Sequence, residues 1–578
     1  MTIRILKNIL IFNFCFFILF SAINVSEAQA EERRSFYIEP VYDSLGREKI
    51  NAVLVEATPK IYFYADEMWW NSLSIPKEEV FSSLRELASE FESKIYPVLT
   101  SNFGPEWNPG IDKDSRITIL IHSMRDEAGG YFSPKDEYTK LEAPNSNERE
   151  MVYLNSKYIL TSYSKTFLAH EFVHLITFNQ KENYHNITEE TWLNEARAEY
   201  ASTLLGYDDD FTGSNLEKRV QIFSDSPSDP LIYWDDKKED YGALNLFTQY
   251  LVDHYGINIL KDSLVSNKVG IESIDYALEK NGFSERFSDI FRDWSIAVLV
   301  NNCNYGSKYC YLNKNLRNFY VSTQTNFLSS VGSSTLTIVD LTRNWTGNWY
   351  RLVGGKGDLN LEFTTNWTDY FTLPYIIKNK NGNYFINFIE IDKATKKGTI
   401  KIEDFGTENL SLYLIPIVNR SDGVNYYSFS MSISVAKEGD DLSLINQLLS
   451  RIEELNNQIT QIRAQIAEII AKNNNQQDES YASIRNNLYY GLTNNSEVQI
   501  LQEFLKSQGS EIYPEGLVTG NFLSLTKSAV IRFQEKYASD ILDPFGLKKG
   551  TGYVGINTRT KINNLIQLSV GPSSFSSY

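Results

Sequence analysis

Two histidines one helical turn apart constrain this chain more than any other feature. They lie in the stretch FLAHEFVHLITFNQ as His170-Glu171-Phe172-Val173-His174. Positions i and i+4 of a helix share one face, so both imidazoles can point at one ion. Glu171 falls on the adjoining flank, where it can reach a water on that ion without ligating it. This is the spacing of a zinc-binding helix that carries its own general base. The chain has only five His, and two of them stand here. The bland alternative is a buried amphipathic helix with two neutral His in its core.

Zinc in a hydrolase takes three protein ligands and leaves a fourth position for water. Twenty-one residues after His174 comes Trp192-Leu193-Asn194-Glu195, on a separate predicted helix, Glu190 to Leu205. The candidate metal set is therefore His170, His174 and Glu195, with Zn²⁺ as the cofactor. Glu199, one turn beyond Glu195, is placed to accept the outer N–H of a ligating His and so fix its tautomer. Glu171 is the candidate catalytic base. An oxyanion donor is also needed, and Tyr241 and His254, on a third predicted helix from Tyr241 to Tyr255, are the catalytic candidates for it. His122 and His185 have no evident partner. The run Asp208-Asp209-Asp210 lacks regular calcium-ligand spacing and reads as a solvated loop.

HExxH followed by a distant Glu resembles the gluzincin group of zinc metallopeptidases. The wording AHEFVHLITFNQ then ETWLNEARAEY resembles the hyicolysin-type family within it. Gly129–Phe132 (GGYF), Ser146–Ser156 (SNEREMVYLNS) and Asp240–Gly256 (DYGALNLFTQYLVDHYG) also fit. Ala196 departs from it, where the family prefers Gly. The resemblance runs from about Thr58 to Trp294. It implies an α+β zincin-like metallopeptidase domain, with a sheet beside the metal helix whose edge strand pairs with substrate backbone. Either Gly129–Phe132 or Met151–Asn155 would supply that edge.

At 578 residues the chain is too long for one domain. Residues 1–30 have a signal-peptide pattern: Arg4 and Lys7, an apolar run from Ile9 to Phe20, then Ala28-Gln29-Ala30. The metallopeptidase domain is expected over residues 31–315. Near its end, Cys303 and Cys310 suit a small disulfide loop in an exported protein. Residues 334–437 read as a β-sandwich accessory domain, with short strand-like runs punctuated by Gly, Asn and Asp. Residues 441–473 form a heptad seam. Ile445, Ile452, Ile459 and Ile466 take its a positions, and Leu448, Leu455, Ile462 and Ile469 its d positions. This coiled-coil helix must bury its seam, against another copy (a homo-oligomer) or against the sandwich. Residues 484–568 carry VQILQEFL, GLVTGNF, TKSAVIRFQ and GYVGINTRT. That wording closely resembles the small all-α peptidoglycan-binding domain of three helices, with Ala538 to Lys549 as an insertion. Residues 569–578 read as a disordered tail.

The expected architecture is thus multidomain. The expected activity is a secreted zinc endopeptidase, associated with the cell wall, that acts on a protein or peptide substrate. Its other partner would be peptidoglycan or another envelope polymer. A formal net charge of −18 argues against nucleic acid. The alternatives are a murein-peptide hydrolase using the same chemistry, or an inactive wall-bound scaffold or adhesin.

Overall fold

A computed structural model describes residues 32–235, 237–420, 426–436, 483–543 and 547–569, together with Arg451, Leu455 and Gln458. The signal segment at 1–30, nearly all of the heptad seam at 441–473 and all but the first residue of the 569–578 tail lie outside the described residues. Among the described residues, no helix is long and apolar enough to cross a membrane.

Six strands open the first domain: β1 (Arg33–Tyr37), β2 (Lys49–Ala57), β3 (Ile61–Asp66), β4 (Ile117–His122), β5 (Gly130–Phe132) and β6 (Met151–Asn155). Their order in the sheet is β1-β2-β3-β4-β6-β5. Strands β3, β4 and β6 run parallel, and β5 pairs antiparallel with β6. The parallel strands are apolar on both faces. Ile119, Ile121, Val152 and Leu154 meet the helices, while Leu120 and Tyr153 pack with Phe36, Tyr64 and Tyr131 on the other side. Strand β5 stands at the edge and β6 is interior. The two edge-strand candidates are thereby separated in favour of Gly130–Phe132.

The helix α1 (Lys77–Glu90) runs through a π-turn at Phe91–Ile95 into α2 (Tyr96–Phe103). The sequence places the end of this helix at Tyr96. It continues because Leu99 and Phe103 extend the same buried stripe, and it stops at Gly104, whose φ of 89° ends the turn. On the same face of the sheet lie α3 (Tyr163–Phe178) and α4 (Thr191–Leu204), followed by α5 (Asn215–Asp225) and α6 (Asp240–Tyr255). Apolar periodicity in the sequence predicts helix over Glu272–Val300, and the structure has two, α7 (Gly270–Lys280) and α8 (Phe287–Val300). Gly282, at φ 84°, makes the break. Cys303 and Cys310 form a disulfide just beyond α8. Asp208 is not solvated as expected. It is buried and accepts from Thr203 Oγ1 at 2.7 Å and from the Leu216 amide at 3.2 Å.

The β-rich region from Gln324 to Ala436 forms a nine-stranded hydrogen-bonded sheet and a small two-stranded one, Phe371–Thr372 with Ile417–Val418. Between strands Lys397–Phe405 and Asn409–Leu414 only one residue pair is made, Phe405 with Asn409. The sheet therefore folds into two layers, with Leu361, Phe363, Met431 and Ile433 facing Leu352 and Leu412 in a shared core. This body is not a loose appendage. Trp345 packs edge-on against Phe287 and Phe291, and Trp349 donates its indole N–H to Ser295 O at 2.8 Å.

The C-terminal unit contains α9 (Ser496–Ser507), α10 (Ser524–Lys536) and α11 (Ile556–Ser569) around Leu501, Leu505, Val530, Phe533 and Ile562. Gln502 and Gln534 are buried and bridge the turns to the helices. Gln502 Oε1 accepts from the Thr519 and Gly520 amides, and Gln534 Oε1 from the Gly552 amide. The unit rests on the first domain. The Tyr138 and Tyr490 rings lie 4.2 Å apart, tilted by 48°, and Lys527 Nζ pairs with Glu142 at 3.0 Å. Both tyrosine hydroxyls donate to Glu182, on the π-turn that prolongs α3.

Candidate metal centre

Helix α3 is apolar almost all round, so it must be buried. From Leu168 to Phe178 only His170 keeps partial exposure. Phe172 stacks on Tyr96 at 5.6 Å and meets Phe91 edge-on at 5.0 Å, which fixes the rotation of the helix. That rotation turns His170 and His174 together toward α4, their rings 4.8 Å apart.

Glu195 on α4 completes the group. Its Oε2 lies 3.2 Å from His170 Nε2, and its Oε1 lies 3.4 Å from His174 Nε2. One donor atom from each of the three residues falls within 4.8 Å of the other two, and among the described residues this is the sole such cluster of His, Cys, Asp or Glu. Glu195 Oε2 is buried without a well-aligned hydrogen-bond donor. Two imidazole nitrogens and one carboxylate oxygen around a common point match the donor set of a zinc site with an open position.

The outer faces of both rings are held. His174 Nδ1 meets Asn194 Oδ1 at 3.0 Å, and His170 Nδ1 meets Glu199 Oε1 at 3.5 Å. Each contact directs Nε2 toward Glu195. Glu199 is itself clamped by Arg219, whose Nε and Nη2 donate at 2.7 Å each, and by Asn215 Nδ2 at 2.9 Å. Burial would push the Glu199 carboxyl up, but Arg219 outweighs it and holds it at about 2. Burial raises the Glu171 carboxyl to about 8. It also lowers His174. His170 would be lowered too, but contact with Glu195 and the surrounding carboxylates carries it up to about 9.

A cleft of about 550 Å³ opens over the group, lined among others by Gly130, His170, Glu171, Arg219 and Tyr241. Two glycines let strand β5 come this close. A Cβ on Gly130 would stand 2.6 Å from Tyr153 O and 3.1 Å from Glu171 Cγ, and one on Gly129 would strike the Phe167 ring at 2.3 Å. Tyr241 sits at the start of α6 with Trp234 edge-on at 4.9 Å and the Arg219 guanidinium 4.5 Å from its ring centre.

The structure thus brings His170, Glu171, His174, Glu195, Glu199 and Tyr241 together. It does not bring His254. That residue lies near the other end of α6, roughly 20 Å along the axis from Tyr241 at 1.5 Å per residue. Its Nε2 is bonded to Cys310 O at 2.9 Å. His254 is therefore withdrawn as an oxyanion candidate. His122 proves to have a partner, Asp43 Oδ1 at 3.2 Å, in a buried cluster with Arg47. Sequence reading missed Asn194 and Arg219. Asn194 carried a signal, as the neighbour of a ligand on the face that meets α3. Arg219, on a separate helix, carried none.

Residues 494–562 match the family model "Putative peptidoglycan binding domain". The C-terminal helical unit is a peptidoglycan-binding domain of that type, consistent with association with the cell wall. The match speaks for this unit and not for the rest of the chain. No curated protein matches the chain. Among solved structures, it has similarity to the Yersinia pseudotuberculosis-derived mitogen, with 13% identity over 19% of this chain and 92% of that one and a TM-score of 0.14. It also has similarity to the pre-peptidase C-terminal domain of a collagenase from Bacillus anthracis, with 7% identity over 19% and 96% and a TM-score of 0.14. The Aeromonas hydrophila inhibitor PliG, of g-type lysozyme, aligns at 8% identity over 20% and 99%, again with a TM-score of 0.14. Scores this low define no shared fold.

Proposed function

We propose that this chain is an exported zinc endopeptidase, kept at the cell wall by its C-terminal domain. The observation that carries the reading is the convergence of His170, His174 and Glu195, with Glu171 beside them on the cleft wall. His170 Nε2, His174 Nε2 and a Glu195 oxygen would hold the ion, and Asn194 and Glu199 keep the two rings aimed. Zn²⁺ bound there would supply Lewis acidity and lower the pKa of a water.

The chain's own groups do the rest. An extended peptide lies along the free edge of β5, where backbone pairing fixes its register. Glu171 takes the proton of the attacking water and passes it to the leaving amine as the C–N bond breaks. The Tyr241 hydroxyl donates to the oxyanion that develops on the scissile carbonyl. The peptide bond is exchanged for a carboxylate and an amine, and no covalent enzyme intermediate forms.

The peptidoglycan-binding domain supports a second reading, in which the peptide belongs to murein crosslinks. One experiment addresses both. The purified full chain and Glu171→Gln are assayed for bound zinc, casein cleavage and release of peptides from purified sacculi. We expect one zinc in each protein and turnover lower in the variant by roughly 10²–10⁴-fold. Full turnover in zinc-loaded Glu171→Gln would sink the mechanism. No zinc in folded wild type would leave a wall-bound scaffold as the function.

A further inference from the structure

Behind strand β5, on the connection that leads into β6, two carboxyl groups face each other away from water. Glu137 ends the 3₁₀ turn Pro134–Glu137, and Glu150 immediately precedes β6. They are 3% and 2% exposed. Both oxygens of Glu137, and Oε2 of Glu150, have no hydrogen-bond partner among the described residues. The remaining oxygen, Glu150 Oε1, accepts from the Ile111 amide at 2.6 Å.

The loop from Gly104 to Arg116, between α2 and β4, wraps this pair. Gly110, at φ 78°, lies flat on the Glu150 carboxyl, and a Cβ there would come within 1.8 Å of its carbon. Asp112, 16% exposed in its side chain, brings a third carboxylate from the solvent side. The nearby cations are engaged elsewhere. Arg149 Nη1 donates to Thr118 Oγ1 at 3.0 Å and stays 3.8 Å from Asp112, and Lys135 pairs with Glu39 at 2.6 Å.

Burying charge without a partner costs several kcal/mol per group, so buried carboxylates are paired, protonated or bound to metal. A single proton shared by Glu137 and Glu150 would satisfy two of the three unpartnered oxygens and strand the third. A hard cation takes six to eight oxygens, among them mono- or bidentate carboxylates and water. It accommodates all three oxygens and neutralises the pair. Among the described residues no His or Cys groups with this pair, which disfavours a second zinc.

We propose that Glu137 and Glu150 form a binding site for an oxygen-preferring divalent cation of the calcium class. The cation ties the β5–β6 connection to the Gly104–Arg116 loop. It is separate from the candidate zinc group and does not depend on the proposed activity. Its effect is to hold the segment that carries the substrate-side strand β5 at one end and the docking residue Tyr138 in its middle.

The test uses the full chain, zinc-loaded and freed of calcium. Calcium chloride is titrated by calorimetry at neutral pH, and the thermal midpoint is followed in parallel, with magnesium chloride as the comparison. We expect one saturable calcium site, a midpoint that rises with occupancy, and a much weaker response to magnesium. Glu137→Gln and Glu150→Gln should each lose the calcium heat and the midpoint shift while keeping their zinc. No calcium heat and no midpoint shift in the wild type would overturn the site. So would binding that persists in both variants. A shared proton gives a different pattern: indifference to calcium, and a Glu137→Gln protein as stable as the wild type. Should one variant fail to fold, the other and the wild-type titration still decide.

Discussion

Two carboxylate-rich pockets flank strands β5 and β6, and they manage buried charge in opposite ways. Around His170 and His174 the two acids that face the rings, Glu195 and Glu199, each have a nitrogen partner. Glu195 faces both imidazoles, and Glu199 is gripped by Arg219. Around Glu137 and Glu150 no charged nitrogen arrives, and three oxygens are left unpartnered. The first pocket is a donor set that fits a borderline metal, with an outer layer that orients its rings. The second is an oxygen-only pocket that must be neutralised by something the chain does not supply. Charge, in short, is partnered from within at one pocket and from without at the other.

The sharpest way to break this contrast is to remove a nitrogen from the first pocket. His174→Ala deletes one of three donors, and we expect bound zinc and peptide turnover to vanish together. Zinc analysis of the purified protein reads the outcome. Retained zinc would mean that the ion, if any, sits elsewhere. A milder change strips the outer layer. In Glu199→Gln the charge that holds His170 Nδ1 is lost and Arg219 is left without its anion. Zinc affinity should fall by about 10–100-fold, measured by competition with a chromophoric chelator. An unchanged affinity would make Glu199 a purely structural acid.

A third change leaves both pockets chemically intact and moves the strand between them. Gly130→Ala puts a Cβ against the Tyr153 carbonyl and the Glu171 side chain. Zinc content should be unchanged. Peptide turnover, as kcat/KM, should drop on the order of tenfold, short of the roughly 10²-fold that a 1 Å misplacement can cost. A neutral result would mean that substrate does not use the β5 edge.

The contrast also explains what could be read in advance. The candidate zinc pocket is built from i, i+4 spacing on one helix and one carboxylate on the next, so local periodicity exposes it. Helices α3, α4 and α6 and strands β3, β4 and β6 were legible for the same reason, because apolar pattern and period decide them. The break in Glu272–Val300 did leave a local mark, the turn dipeptide Asn281-Gly282, which the apolar periodicity on both sides overrode in the reading. The choice of β5 as the edge was not legible, since it is set by sheet order and leaves no local trace. His254 was misjudged because helix membership alone says nothing about which end meets the site. The Glu137–Glu150 pocket draws on segments of different elements with no shared spacing, and only the fold brings them together. The C-terminal unit is the opposite case, since its buried glutamines and turn glycines recur as a motif along the chain.

Between the two pockets in character lies Glu182, a half-buried acid that accepts from the neutral hydroxyls of Tyr138 and Tyr490. Burial outweighs those donors and the Lys527 charge, and raises its carboxyl from 4.5 to about 7. The docked state therefore binds a proton more readily than the undocked one. By linkage the dock is strongest below about 4.5, where both states are protonated, and weakens as pH rises from there through about 7. Hydrogen exchange of residues 134–142, corrected for intrinsic rates, should show less protection at pH about 8 than at about 5.5. Glu182→Gln should flatten that difference, because the amide stays neutral throughout. Tyr490→Phe should cost only about 1 kcal/mol of docking, the net worth of an ordinary hydrogen bond. A pH response that survives in Glu182→Gln would assign it to another group. The π-turn bearing Glu182 continues the helix of His170 and His174, so wall binding that shifts the dock would be felt at the same helix end.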